Sequence, residues 1–364
     1  MNPDFQRLMN DATRLTRAGD LQAATASIQA ALAGGAIAPQ AQDAGDVRGV
    51  EAREVPAMAS VHADTNIDAP TGTPAPQRDV PAPGRFITGI HADKAAGRRD
   101  YKLYIPPGAG ARALPLVVML HGCTQHPDDF AAGTAMNELA QAQGFYVLYP
   151  AQSQQANAQR CWNWFKHNHQ QRGRGEPALL AGMTRAVMAQ YAIDPQRVYV
   201  AGLSAGGAMA AILGDTYPDL YAAVGVHSGL AAGAASDLPS ALAAMRSGST
   251  SARGVSSGMP TIVFHGDADA TVHANNAAQV IAASVGTAAA VECERLQGNG
   301  ERACTRQVHR AADGRVLAEH WLVHGAPHAW SGGSAKGSYT DGRGPDASAE
   351  LLRFFFEHPR RPTH

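Results

Sequence analysis

The sequence predicts an α/β fold, a mostly parallel central sheet with helices on both faces, preceded by an amino-terminal helical arm. Two observations carry this. From Arg85 onward, short apolar runs alternate with stretches of helical period, the pattern of strands connected by helices. Some of those runs, LPLVVMLHG at 114–122 above all, are continuously apolar, as a strand covered on both faces must be. A chain of 364 residues that is 45% hydrophobic and 17% charged is long and apolar enough to bury a sizeable core.

The elements follow in order. Residues 1–34 read as a helical arm. Phe5, Leu8, Met9, Ala12 and Leu15 share one face, as do Leu21, Ala24, Ile28 and Leu32. Asp20 caps the second of the two helices. Residues 35–84, rich in Ala, Pro, Gly and Asp, have no apolar period and read as a linker. A catalytic-sized domain fills 85–358. Its expected strands are RFITGIHA, RDYKLYIP, LPLVVMLHG, FYVLYP, RVYVAG, YAAVGVHSG, MPTIVFHG and VLAEHWLVHG. Its expected helices are DDFAAGTAMNELAQAQG, PALLAGMTRAVMAQYA, SAGGAMAAILGDTY and DASAELLRFFFEH, the last capped by Asp346.

Charge and composition exclude some functions. A formal net charge of −1 gives no broad basic face for nucleic acid. No apolar run approaches the roughly 20 residues of a membrane span. The amino terminus carries Asp4, Asp11 and Asp20 and has no continuous apolar h-region, so a secretory signal is not expected and the cytoplasm is. In that compartment Cys123, Cys161, Cys293 and Cys304 would mostly be reduced. Cys293 and Cys304 flank a Gly-containing turn and are candidates to face each other across a hairpin. Cys123 is either a small buried residue or half of a disulfide with Cys161.

The chemistry centres on AGLSAGG at 201–207. A lone G-x-S-x-G is a weak signal in a chain with 38 glycines, but here an apolar strand precedes it and a helix follows. That is the setting of a nucleophile elbow, a sharp turn that exposes the serine. Gly202, Gly206 and Gly207 supply the space that strand and helix need to approach. Neither a phosphate loop nor a dinucleotide fingerprint fits the spacing. A serine hydroxyl needs a base, and the chain order Ser, acid, His directs attention downstream. FHGDADATVH offers Asp267 and Asp269; Asp269 stands in an H-G-x-x-D-x-x-V arrangement and is the expected acid, with Asp267 capping the turn. LVHGAPHAWSGG offers His324 and His328; His328, in the Gly-rich loop, is the expected base, and His324 is expected to pack or hydrogen-bond locally. The oxyanion donors expected are the backbone N–H groups of Ala205, after the nucleophile, and Cys123, in LHGCTQ. CWNWF concentrates aromatics in a chain with few. Trp162 and Trp164, with Trp330 beside His328, are candidate substrate-binding residues on an apolar rim, and core packing is the competing reading. His167 and His169 lack the further ligands of a metal site, so no metal and no cofactor are expected.

Taken together, LHGCTQ, CWNWF, GLSAGGAMA, FHGDADATVH and HAWSGG resemble the polyhydroxybutyrate depolymerase family of esterases, in the α/β-hydrolase superfamily, over roughly residues 85–358. The resemblance implies an α/β-hydrolase fold, a Ser204–His328–Asp269 triad and an oxyanion site at Cys123 and Ala205. It also implies hydrolysis of a short-side-chain polyester or its oligomers. The family grades into feruloyl and acetylxylan esterases, which form the alternative reading; a granule-associated scaffold is a third. No export signal and no separate carboxy-terminal polymer-binding domain are evident, so the expected partners are intracellular storage granules or soluble oligomers.

Overall fold

A computed structural model describes residues 84–93, 97–249, 258–285, 290–297 and 302–360. The helical arm expected at 1–34 lies outside the described residues, as does the linker expected at 35–84 except for Gly84.

The chain builds a ten-stranded sheet in the order β1-β2-β4-β3-β5-β6-β7-β10-β9-β8. β1 (Arg85–Asp93) and β2 (Gly97–Ile105) form an antiparallel hairpin at one edge, and β2 also runs antiparallel to β4 (Tyr146–Pro150). From β4 the sheet is parallel through β3 (Leu114–Leu120), β5 (Ile193–Leu203), β6 (Ala223–His227), β7 (Thr261–Gly266) and β10 (Val316–Val323). β9 (Ala303–Arg310) and β8 (Ala290–Gln297) close the other edge antiparallel. The helices are α1 (Pro127–Thr134), α2 (Met136–Gln143), α3 (Gly175–Gln190), α4 (Ala205–Thr216), α5 (Leu238–Ser247), α6 (Asn275–Val285) and α7 (Ala347–Glu357).

The continuous apolar runs behave as their composition requires. All of β3 is buried. Leu116, Val118 and Leu120 enter one core with α3 and α4, while Val117 and Met119 enter a second with α1, α2 and α7. Alternate residues thus serve opposite faces, and each fully buried Val or Leu contributes roughly 1.5–3 kcal/mol. Among the described residues no helix is long and apolar enough to cross a membrane.

Two sequence expectations need correction here. The helix expected over 128–144 is broken at Ala135, which is left-handed at φ 51° and separates α1 from α2. The break has a tertiary cause. The carbonyls it frees are taken from outside: Gly133 O accepts from Ser334 N (2.8 Å) and Thr134 O from Ser348 Oγ (2.6 Å). Local periodicity carries no trace of those partners. The proposed facing of Cys293 and Cys304 also fails. β8 pairs with β9 so that Cys293 meets Gln307 and Cys304 meets Leu296. Residues 304 and 307 differ by an odd number, so the two sulfurs lie on opposite faces of the hairpin; Cys293 is exposed and Cys304 buried.

Candidate active site

Parallel strands bring their carboxyl ends to one edge of the sheet, where ligand sites of open α/β sheets gather. β5 ends at Leu203 and α4 begins at Ala205. Ser204, between them, is held at φ 58°, ψ −118°, a strained conformation for a residue with a side chain. The turn is possible because its neighbours lack Cβ atoms. A Cβ on Gly202 would lie 2.4 Å from the Gly206 carbonyl carbon, and one on Gly206 would lie 2.0 Å from Leu120 O. The glycines therefore act as steric clearance between β5, α4 and the end of β3.

Beyond β7, Asp269 is fixed by its own turn. Its Oδ1 accepts from the N–H groups of Thr271 and Val272, both at 2.8 Å. Its Oδ2 lies 2.6 Å from His328 Nδ1 and 3.5 Å from His265 Nε2. Burial alone would raise the carboxyl pKa, but hydrogen bonds with His265, His328 and Val272 outweigh it and hold Asp269 well below the ordinary carboxylate range. Asp267 and His324, the competing acid and base, find each other instead. His324 Nδ1 is 2.8 Å from Asp267 Oδ2, Gly325 N donates to Asp267 Oδ1 at 2.6 Å, and Thr305 Oγ1 meets His324 Nε2 at 2.8 Å. This pair clasps the end of β10 just before the loop that carries His328.

The loop after β3 stands against the elbow. A Cβ built on Gly122 would be 3.7 Å from Ser204 Cβ. Gly122 N donates to Gln125 Oε1 at 2.9 Å, so this amide is committed within the loop. Ala205 is the first residue of α4, where helix amides have no intrahelical acceptor. Cys123 is bonded to Cys161, which corrects the expectation that these two thiols are reduced and selects the disulfide among the readings of Cys123. The bridge is flanked by two hydrogen bonds, Thr124 N to Gln159 O at 2.7 Å and Trp162 Nε1 to His121 O at 3.1 Å.

The three tryptophans considered for an apolar rim are buried, which favours the competing reading, core packing. Trp162 is completely enclosed and Trp330 and Trp164 nearly so. Trp162 braces His121 O, and Trp164 packs edge-on against Phe165. Trp330 stacks on His227 (4.9 Å) and donates Nε1 to Ser348 Oγ (3.0 Å). The CWNWF stretch is drawn inward by Glu176, a buried carboxylate in the first turn of α3. It accepts from Asn163 N and Nδ2, each at 2.7 Å, and from Gln152 Nε2 at 2.5 Å. His169 also faces Glu176, at 3.4 Å, whereas His167 meets Gln171.

Two buried histidines escaped the sequence reading. The His227 carbonyl accepts from Ser204 N at 2.8 Å, while its ring Nε2 accepts from Ser331 N at 2.9 Å. One residue thereby ties the elbow to the loop of His328. His121 Nε2 accepts from Gln152 N (3.1 Å) and its Nδ1 faces Gly122 O (2.7 Å), so the proton sits on Nδ1 and the ring braces the loop after β3. Each has an apolar strand run before it, the signal available in the sequence, but nothing there reveals its partners. Burial pushes the His227 pKa down to about 3 and that of His121 down to about 4. In the unfolded chain both would titrate near 6.5. The unfolded state therefore binds more protons between about pH 6.5 and 4, and stability falls as pH falls through that window. Urea unfolding is expected to lose roughly 2 kcal/mol per histidine between pH 7 and 5, and His121→Asn should show a shallower pH slope. Equal slopes in both proteins refute the assignment.

Sheet order, elbow and acid–histidine pair together define an α/β-hydrolase fold of the esterase kind. The chain belongs to the PHB depolymerase family of esterases, whose family description, Esterase PHB depolymerase, matches residues 99–303. It is similar to poly(3-hydroxyalkanoate) depolymerase C of Paucimonas lemoignei, 33% identical over 241 residues, which cover 62% of this chain and 57% of the relative. It is also similar to acetylxylan esterase A of Talaromyces purpureogenus, 32% identical over 152 residues, 40% of this chain and 37% of the relative. The chain thus matches little more than half the length of the first relative and less of the second. In fold it is similar to the acetyl xylan esterase from Aspergillus awamori, with a TM-score of 0.56 at 19% identity over 74% of this chain and 99% of that one.

Proposed function

We propose that the chain is a serine esterase that hydrolyses poly(3-hydroxybutyrate) or its oligomers. The observation that carries the catalytic part is the 2.6 Å contact between His328 Nδ1 and Asp269 Oδ2, at the sheet edge that also carries strained, half-buried Ser204. In this reading Ser204 Oγ attacks the ester carbonyl carbon while His328 takes its proton. Asp269 fixes the tautomer and stabilises the imidazolium. The negative charge that develops on the carbonyl oxygen is met by the N–H groups of Cys123 and Ala205, each such donor contributing on the order of 3 kcal/mol. Collapse expels the alcohol, which receives the proton from His328, and water then releases the acyl group by the same steps in reverse. Every step runs on side chains and backbone amides.

The substrate reading rests on family membership and on the depolymerase relative. The acetylxylan esterase relative supports a second reading, a carbohydrate esterase with the same catalytic groups. The two separate by product. Purified chain is expected to release 3-hydroxybutyrate monomer and dimer from the trimer and from amorphous polymer, with higher kcat/KM on the trimer than on methyl ferulate or acetylated xylan. Turnover of the carbohydrate esters with no hydroxybutyrate release refutes the polyester reading. As to compartment, the Cys123–Cys161 bridge favours an oxidising environment over the cytoplasm, and a storage-granule surface remains the partner of a cytoplasmic form only.

A further inference from the structure

Beyond His328 the chain doubles back. Trp330–Ser331 (β11) pairs in parallel with Thr340–Asp341 (β12), and Trp330 N donates to Tyr339 O at 2.7 Å. On the other side, Ser338 N and Oγ donate to Asp129 Oδ1 and Oδ2 at 2.8 and 2.6 Å. Gln125 joins these anchors to the loop after β3. Its Nε2 donates to Asp129 Oδ2 (2.9 Å) and Ser338 O (3.1 Å), while its Oε1 accepts from Gly122 N (2.9 Å). Tyr339 is therefore clamped on both sides, at a left-handed φ of 52°.

Its side chain has no packing role to match. It is 48% exposed; every other Phe, Tyr and Trp among the described residues is buried or half-buried. Its hydroxyl lies 3.3 Å from Thr124 Oγ1. Thr124 is itself left-handed, at φ 66°, and directly follows Cys123, whose loop stands against Ser204. Two left-handed residues thus meet at the loop that stands against Ser204, and one of them holds out a rigid aromatic ring. Strain maintained by surrounding contacts clusters at ligand-binding positions, and a tyrosine offers an apolar face with a polar tip at low entropic cost.

We propose that Tyr339 is a specificity-determining residue whose ring contacts the ester chain beyond the scissile carbonyl, taking up the specificity role that the buried tryptophans do not fill. This rests on the esterase reading above. The chemistry fits a substrate with alternating methyl and carbonyl groups, the ring packing against the methyl and the hydroxyl reaching the next carbonyl.

The test compares 3-hydroxybutyrate trimer with p-nitrophenyl acetate, which has no chain past its acetyl group. Tyr339→Ala is expected to lower the ratio of kcat/KM for trimer to kcat/KM for p-nitrophenyl acetate about tenfold, mainly through KM for trimer. Tyr339→Phe should retain most of that ratio. An unchanged ratio in Tyr339→Ala overturns the proposal. So does an equal fall on both substrates, which would make Tyr339 a support of the loop after β3. If the wild type cleaves p-nitrophenyl acetate but not trimer, it is the polyester reading that fails. The same ratio is then measured with methyl ferulate in place of trimer, and it decides for or against Tyr339 by the same criterion.

Discussion

Replacing Ser204 by Ala is expected to lower kcat on any ester the chain hydrolyses by roughly 10⁶-fold, with the protein still folded. The size follows from the role. Loss of the nucleophile in a Ser–His–Asp triad removes nearly all of what the three groups do together, and the residual rate comes from the oxyanion donors and binding. Retention of the fold follows from the contacts. The Ser204 side chain makes no capping hydrogen bond to α4, and the elbow is held by its backbone, through Ser204 N to His227 O. The substitution removes one oxygen and leaves the turn intact. Circular dichroism and urea midpoint should match wild type while turnover of p-nitrophenyl acetate disappears. A variant that keeps a tenth of its activity would place the nucleophile elsewhere. The same variant also separates enzyme from scaffold, since a granule-associated scaffold would keep its role without the serine.

This expectation is as sharp as it is because the elbow was legible from sequence. G-x-S-x-G between an apolar strand and a small-residue helix constrains the backbone locally, and local constraints can be read from spacing. The existence of the central strands followed from the same kind of signal, since β3, β4, β6, β7 and the second half of β5 are short apolar runs that are buried. What escaped depends on distant partners. Trp162 and Trp164 looked like rim residues because aromatics cluster there, but Glu176 on α3 draws that segment inward. Ala135 looked like mid-helix because Ser334 and Ser348, which take the freed carbonyls, lie some 200 residues away. Tyr339 carried no periodic signal at all; its placement is the work of Asp129 and Gln125. The pairing of four candidate groups, two aspartates and two histidines, lay between these extremes. The H-G-x-x-D-x-x-V arrangement selected Asp269 and the Gly-rich loop His328; the local roles expected of Asp267 and His324 turn out to be a pairing with each other, which spacing does not reveal.

That second pairing makes the aspartates separable by experiment, and Asp269→Asn should lower kcat about 10⁴-fold while Asp267→Asn stays within roughly tenfold of wild type. Both carboxylates touch a histidine Nδ1, at 2.6 Å for Asp269 and 2.8 Å for Asp267, so distance alone does not distinguish them. Their surroundings do. The Asp269 side chain is fully buried, whereas that of Asp267 is 39% exposed and its histidine 30%. A charge contact in that solvent-facing setting is worth a fraction of a kcal/mol up to about 1 kcal/mol. At Asp269, by contrast, Oδ1 is committed to the Thr271 and Val272 amides and Oδ2 to His328. An asparagine that keeps Oδ1 on those amides turns its NH₂ toward His328 Nδ1, which forces the proton to the other ring nitrogen and removes the base that Ser204 needs. His324, for its part, meets Thr305 Oγ1. This is the same sequence of hydroxyl, imidazole and carboxylate, but Thr305 lies within β9 and not at a strand-to-helix turn like that of Ser204, so the array is expected to clasp the end of β10. The loss in Asp267→Asn should therefore appear as a lower Tm, through the weakened hold on Gly325 N and His324, with the pH–rate profile unchanged. Asp269→Asn should show the opposite, a collapsed kcat with the change in Tm secondary. If Asp267→Asn proves the more damaging to kcat, the acid of the triad has been misassigned, and His324 becomes the base to test.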